Sequence, residues 1–338
     1  MNLGVIGTGK IVTDALYAMK PIEEIRPKAI LSRPHSLEKG RALADQYAID
    51  AVYTNYDELL SRPDIDTVYI GLINSVHYAF AKQALEAGKH VILEKPFTGT
   101  LAEAEDLFEL ADKKGLFLFE AITVLHNDVI GKMRSSLPKL GKIRMMCANF
   151  SQYSSRYDQY LAGDVTHTFD PENKGGSMRD MNVYNLHYAA ALFGMPEAAH
   201  YYAALGYNGV DTSGVLVLEY DGFSAVCIAA KDSDSPCFVT IQGESGYMQI
   251  DGKPNLAPNL TIVTVGSADG QSKKAERDAS GAVVRTTVSE SFTPGPEHHR
   301  MTREFRDFVR IIEEKDCQAA KLLADETLTV MKVLEMIG

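Results

Sequence analysis

The chain has no tryptophan and only four cysteines, Cys147, Cys227, Cys237 and Cys317, separated by 80, 10 and 80 positions. That spacing contains no C-x-x-C pair and no zinc knuckle. Cys147 and Cys227 sit in apolar runs and read as core thiols, which fits a reducing cytoplasm. Long hydrophobic runs are missing as well. No apolar stretch reaches the roughly 18 residues that a spanning helix needs. The opening MNLGVIG has neither a basic n-region nor a long apolar h-region, so no signal peptide is expected. Positive charge is in deficit, with 34 Lys and Arg against 45 Asp and Glu, a formal net charge of −11. This argues against a nucleic-acid backbone or an anionic membrane as partner. H-E-x-x-H does not occur, and His298 and His299 are adjacent rather than one helical turn apart, so no metal centre is expected.

What is present is an ordinary globular composition, 45% hydrophobic and 23% charged, on 338 residues, a length that suggests two domains. Through residue 121 strands alternate with helices. Strand-like runs at 2–7, 27–32, 51–54, 66–71, 90–94 and 116–121 are separated by helical patterns, two of which end at Gly88 and Gly115. Such alternation implies βαβ units and a parallel sheet. Beyond about residue 140 the pattern changes to one helix over about 177–194 and a series of strands between 197 and 293. These strands are HYYAALGY, GVLVLEY, SAVCIAA, CFVTIQG, GYMQI, LTIVTV and AVVRTTV, and they predict a mostly antiparallel sheet. Residues 267–282 read as a polar hairpin or mobile loop, and two helices, 297–313 and about 318–336, close the chain.

LGVIGTGKIV carries two overlapping glycine patterns. Gly4-x4-Gly9-Lys10 imitates a phosphate-binding P-loop, but Ile11 stands where the metal-binding Ser or Thr belongs, and only three residues precede Gly4. Gly7-x-Gly9-x-x-Val12 follows a strand and opens a helix, as a dinucleotide loop does. Gly7 makes the turn, and Gly9 lets a pyrophosphate approach the backbone at Lys10 and Ile11. The second strand ends without the acid that would read a ribose 2′-hydroxyl. Ser32 and Arg33 stand there, and a guanidinium suits a 2′-phosphate, so NADP(H) is favoured over NAD(H).

In HVILEKPFTG a core strand runs straight into Glu94 and Lys95 and is stopped by Pro96. Ligands bind beyond the carboxyl ends of parallel strands. A lysine there can donate to a substrate oxygen and stabilise developing alkoxide charge. The alternative is a surface lysine paired with Glu94. Farther on, Asp180, Tyr184 and His187 fall at i, i+4 and i+7 on one helical face. Ser177-x-x-Asp180 also has the form of a capping box.

GVIGTGKIV, the Ser-Arg after the second strand, INSVHYAFAKQALEAGKHVILEKP and GGSMRDMNVYNLHYAAALFG together resemble the glucose–fructose oxidoreductase/inositol dehydrogenase/MocA family over nearly the whole chain. Glu94-Lys95-Pro96 matches one family signature. Asn74 and His77 match T-P-N-x-x-H, with Leu72 and Ile73 replacing Thr-Pro. Asp180-Met-Asn182-Val-Tyr184 matches D-x-G-x-H/Y, with Asn in place of Gly. The resemblance implies fold class α/β: an N-terminal Rossmann doubly wound parallel sheet (1–121) and a C-terminal α/β domain (122–338) with a large open, mostly antiparallel sheet. It implies Lys95, Asp180 and Tyr184 as the catalytic set. Gly7, Gly9, Lys10, Ile11, Ser32, Arg33, Asn74, His77, Glu94 and Lys95 would lie around the cofactor.

The chemistry then expected is hydride transfer between nicotinamide and a secondary alcohol or ketone of a small polyhydroxylated substrate. The proton would travel through Tyr184, whose charged form a neighbouring Lys95 favours, or through Lys95 itself. Asp180 would orient Lys95. Tyr153, Arg156, Tyr157 and His187 are the expected substrate contacts. Two other classes share the fold: a non-catalytic dinucleotide sensor, which would have no use for Lys95, and an NAD-relay glycosidase or lyase, which would need further acid–base groups such as His126, His167 or Asp170. The open sheet face would be covered by a homodimer or a dimer of dimers.

Overall fold

The computed structural model describes residues 1–266 and 276–337. Its first sheet has six parallel strands: β1 (Asn2–Ile6), β2 (Arg26–Leu31), β3 (Ala51–Tyr53), β4 (Thr67–Ile70), β5 (His90–Glu94) and β6 (Leu118–Ala121). Their order is β3-β2-β1-β4-β5-β6. Between them run α1 (Lys10–Met19), α2 (Leu37–Tyr47), α3 (Tyr56–Leu60), α4 (His77–Glu86) and α5 (Leu101–Lys114). The strand order reverses between β1 and β4, so a crevice opens there at the carboxyl ends, where Gly7 and Gly71 follow their strands. Local chemistry sets the boundaries. Thr100 and Glu103 cap α5 reciprocally, and Gly115 ends it at φ 64°.

Next come α6 (Asp128–Ser136), β7 (Ile143–Ser151), α7 (Tyr157–Leu161) and α8 (Val183–Phe193), then β8 (Ala198–Leu205), β9 (Asp211–Tyr220), β10 (Phe223–Ala230), β11 (Phe238–Gly243), β12 (Gly246–Asp251) and β13 (Leu260–Val265). β14 (Glu276–Arg277) and β15 (Val283–Val284) make a separate ribbon, and β16 (Thr287–Phe292) is the edge of an eight-stranded sheet ordered β16-β13-β12-β11-β7-β10-β9-β8. Only β7 and β10 pair in parallel; every other pair in this sheet is antiparallel. Leu216, Leu218, Cys227, Val239 and Ile241 point inward to Val183 and Leu186 of α8, forming one core. The alternate residues, such as Val215, Val217, Val226 and Ile228, stay partly exposed on the opposite face.

Three sequence expectations need adjustment. AVVRTTV is not one strand: β15 takes two of its residues and β16 begins at Thr287. Of the loop expected over 267–282, residues 267–275 lie outside the described residues, and the remainder turns back through Asp278–Gly281 to join β14 to β15. The helix expected over 177–194 starts with a π-helical turn, Met178–Asn182, before α8.

The last two helices are α9 (Thr302–Glu314) and α10 (Cys317–Met336). α9 returns to the first sheet. Phe305 meets Tyr69 edge-on at 5.6 Å, Phe308 stacks on Phe119 at 4.7 Å, and both share a core with Leu3, Val5 and Ile30.

Candidate active site

A cavity of about 770 Å³ lies at the switch point between the two sheets. Gly7 (φ 114°) turns the chain out of β1, and a Cβ there would lie 2.7 Å from the Gly71 carbonyl oxygen. Gly9 caps α1 without a side-chain hydrogen bond, and open space surrounds the place a Cβ would take. The first amides of a ten-residue helix therefore face the cavity beside Gly7, Thr8, Gly9, Lys10 and Ile11. Val12, the departure from the glycine pattern, is accommodated from the other side: a Cβ on Gly71 would stand 2.7 Å from Val12 Cγ2.

Ser32, Arg33, Ser36 and Lys39 line the end at β2. Arg33 and Lys39 are exposed and have no acidic partner among the described residues, whereas Lys10 is engaged by Asp14 at 2.8 Å. Two free cations beside a helix N-terminus without a side-chain cap suit the phosphates of a dinucleotide. Asn74 is also in the wall, and its Nδ2 donates to the Lys174 carbonyl oxygen across the cleft.

His77 departs from expectation. It is fully buried, with Nε2 3.1 Å from the Leu72 carbonyl oxygen and Nδ1 3.0 Å from that of Pro96. Burial pushes its pKa down, against the carbonyls that raise it. It packs between two cavity loops from behind and does not line the cavity.

Glu94 is buried in the wall, accepts from the Tyr69 hydroxyl at 2.8 Å and forms no ion pair with the Lys95 ammonium, which goes to Asp180. Its pKa is raised by burial, partly offset by Tyr69, Lys95 and Arg300. The Lys95–Pro96 peptide is cis. Lys95 Nζ donates to Asp180 Oδ1 at 2.9 Å and to the Asp180 carbonyl oxygen at 2.8 Å, and lies 5.1 Å from the Tyr184 ring centroid. The opposite side of the carboxylate is held by a residue the sequence reading missed: Lys231 Nζ is 2.9 Å from Asp180 Oδ2. Burial pushes the Asp180 carboxyl up, but the two ammonium groups outweigh it and hold it far below the usual range. Burial pushes Lys95 down, but Asp180 and Tyr184 outweigh it and hold it above its ordinary value.

The capping reading of Ser177 and Asp180 fails. Ser177 Oγ is buried without a partner, and Asp211 accepts from the Met178 amide at 2.6 Å instead. Gly176 makes room for that carboxylate, which any side chain would strike. Asp180 is thereby left to the lysines. π-helical turns of this kind often accompany functional side chains.

Of the expected substrate contacts, Arg156 lines the cavity, joined by His167 and Thr168. Tyr153 and Tyr157 do not. The Tyr153 hydroxyl bonds Asp158, and Tyr157 packs on Tyr160 and Phe169. His187 is fully buried beside Glu120, its Nε2 at 3.4 Å, so the face shared by Asp180 and His187 in a regular helix is broken by the π turn. Tyr184 is 6% exposed and stands behind the wall, edge-on to Phe150. Of the further acid–base groups, His126 is buried against Asp307, and Asp170 accepts from Asn173.

A glycine-turn crevice at the switch point, facing a lysine–carboxylate pair, suits a dinucleotide-dependent oxidoreductase. Residues 1–122 match the family model described as oxidoreductase family, NAD-binding Rossmann fold, and residues 138–249 match the GFO/IDH/MocA C-terminal domain. The chain is 30% identical over 338 residues to the scyllo-inositol 2-dehydrogenase (NADP(+)) IolU of Bacillus subtilis (strain 168), covering 99% of this chain and 95% of that one. It is 35% identical over 251 residues to the uncharacterized oxidoreductase YgjR of Escherichia coli (strain K12), covering 74% of this chain and 76% of that one. Its fold is similar to that of KijD10, a 3-ketoreductase from Actinomadura kijaniata solved with NADP and TDP-benzene, at TM-score 0.80 and 21% identity, covering 100% of this chain and 96% of that one. The chain belongs to the GFO/IDH/MocA oxidoreductase family and is an NAD(P)-dependent enzyme of CH–OH and keto groups. Among the described residues no helix is long and apolar enough to cross a membrane.

Proposed function

We propose that this enzyme uses NADP(H) in preference to NAD(H) to interconvert a secondary alcohol and its ketone on a small polyhydroxylated molecule: a sugar, polyol, sugar acid or diol. The observation that carries this reading is the Lys95–Asp180 pair at the carboxyl end of β5, inside the cavity that the glycine turn opens. Gly7, Gly9 and Arg33 would hold the cofactor, which would supply or accept a hydride there. Lys95 remains an ammonium over the working pH range, so it holds the substrate oxygen and stabilises charge developing there. Tyr184, whose ring lies beside that ammonium, moves the proton. A second assignment has its own observation: His167, unlike Tyr184, is part of the cavity wall.

Titration of purified protein with NADPH and NADH, followed by nicotinamide fluorescence, tests the cofactor preference. A screen of polyols and keto sugars, with scyllo-inositol and D-xylose included, tests the substrate class. Turnover lost in Y184F and kept in H167N supports Tyr184; the reverse pattern transfers the proton to His167. Absence of NADPH binding would remove the whole reading.

The apolar, partly exposed face of the eight-stranded sheet supports a homodimer, or dimer of dimers, formed through it. Light scattering that finds a monomer at micromolar concentration would exclude that. The four free thiols suit a cytoplasmic protein.

A further inference from the structure

The centre contains an ammonium group that the reaction as drawn above does not use. Lys231 follows β10 and is 1% exposed. Its Nζ lies 2.9 Å from Asp180 Oδ2, donates to the Thr168 carbonyl oxygen at 2.6 Å, and sits 4.3 Å from the Phe169 ring centroid. Carboxylate, carbonyl and aromatic face together take up the charge. Burying an ammonium is costly, and an apolar residue of similar volume would brace the same wall without that cost.

We infer that Lys231 is a positioning residue of the reaction centre: it fixes the second oxygen of Asp180 and draws the cavity-wall segment His167–Phe169 onto it. The inference rests on the proposed roles of Lys95 and Asp180. With Lys231 in place, Asp180 presents Oδ1 to Lys95 in one orientation, because its other oxygen is already held. Two ammonium groups around one carboxylate give the Lys95–Asp180–Lys231 cluster a single net positive charge, with Glu94 also acting on Lys95. Without Lys231 the Lys95–Asp180 pair is neutral, and an alkoxide forming beside Lys95 meets no net cation. Lys231 also sets the distance between Asp180 and the wall that carries His167 and Thr168, so substrate-side and β5-side groups share one anchor.

The test compares K231M and K231R in the intact enzyme, with NADP⁺ and scyllo-inositol as probes. In K231M, kcat is expected to fall roughly 10- to 100-fold, while KM and NADPH affinity stay within about threefold. The acid limb of kcat for alcohol oxidation moves to higher pH, because a nearby cation has gone. K231R restores the limb and brings kcat to within about fivefold of the parent. A parental kcat and pH profile in K231M would overturn the inference. So would equal losses in both variants accompanied by lower melting temperature and weaker NADPH binding, since Lys231 would then serve the fold alone.

A readout without turnover separates this inference from the substrate class. Acetic anhydride labels neutral amines, and mass spectrometry follows Lys95 at pH 9. Loss of the neighbouring cation strengthens Lys95's hold on its proton, so its labelling slows at least threefold in K231M and recovers in K231R. An unchanged rate would overturn the inference even if scyllo-inositol is no substrate. Slower labelling with no turnover in the parent would refute the probe's substrate class and leave Lys231 in its role.

Discussion

Lys95 Nζ and Asp180 Oδ1 lie 2.9 Å apart although 85 residues separate them in the chain. The pair joins the carboxyl end of one sheet to the helix that packs on the other. K95M and D180N are each expected to lower kcat by about 10³-fold, with NADPH affinity within severalfold of the parent. Residues that act as a unit are non-additive, so the double variant should be little worse than either single one. Steady-state kinetics and fluorescence titration check both statements; a double variant whose loss equals the product of the two would show independent roles.

Cofactor choice is expected to lie with Arg33. R33A should raise the Kd for NADPH about tenfold and leave that for NADH within about twofold, since only the former has a 2′-phosphate to lose a partner. Lys39, on the same rim, should give a smaller effect of the same sign, and added salt should reduce both.

Glu304 gives a prediction in pH. It is 1% exposed, and neither carboxyl oxygen has a hydrogen-bond partner. Burial first, then Glu94 and Asp307, push its pKa well above the ordinary value against the pull of Arg300. A carboxyl whose folded pKa exceeds its unfolded value favours the native state at low pH. That support is lost as pH rises from the unfolded value, near 4.3, toward the folded one, at up to about 1.4 kcal/mol per pH unit. E304Q cannot ionise. Its melting temperature relative to the parent should therefore climb from pH 5 to pH 8, as followed by circular dichroism; a constant difference would contradict this.

Gly71 and Val12 form a complementary pair. G71A places a methyl group 2.7 Å from Val12 Cγ2 and should destabilise the protein by about 1–3 kcal/mol while weakening NADPH binding. V12A/G71A removes the collision and should recover most of both. Urea denaturation and nicotinamide fluorescence measure the two effects; a double variant no better than G71A would place the strain elsewhere.

The parallel sheet was legible because its strands are apolar runs bounded by Gly, Pro and Asn, and α5 carries its own caps, Thr100 and Gly115. Lys95 was legible because a charged residue at a strand's carboxyl end is an expense a core strand avoids. Three site features were harder to read. The π turn breaks helical spacing, so Asp180 reaches the cavity while His187 turns into the core. His77 matches a motif by identity, yet its ring is spent on backbone carbonyls. Lys231 looks like the first polar residue after a strand, the usual mark of a solvated turn. Its signal was period two: Ala225, Cys227 and Ala229 face inward, and Lys231 continues that row. Tyr153 and Tyr157 were placed by loop position alone, and neighbouring aromatic rings claimed Tyr157.

The return of α9 to the first sheet bears on how the polypeptide is made. A ribosome releases β1 to β6 early, but Phe305 and Phe308, which close the apolar side over Tyr69 and Phe119, emerge some 185 residues after the last of those strands. The nucleotide-binding half thus spends most of its synthesis with that side uncovered, exposed to chaperones or to aggregation, and is finished only when the chain is nearly complete.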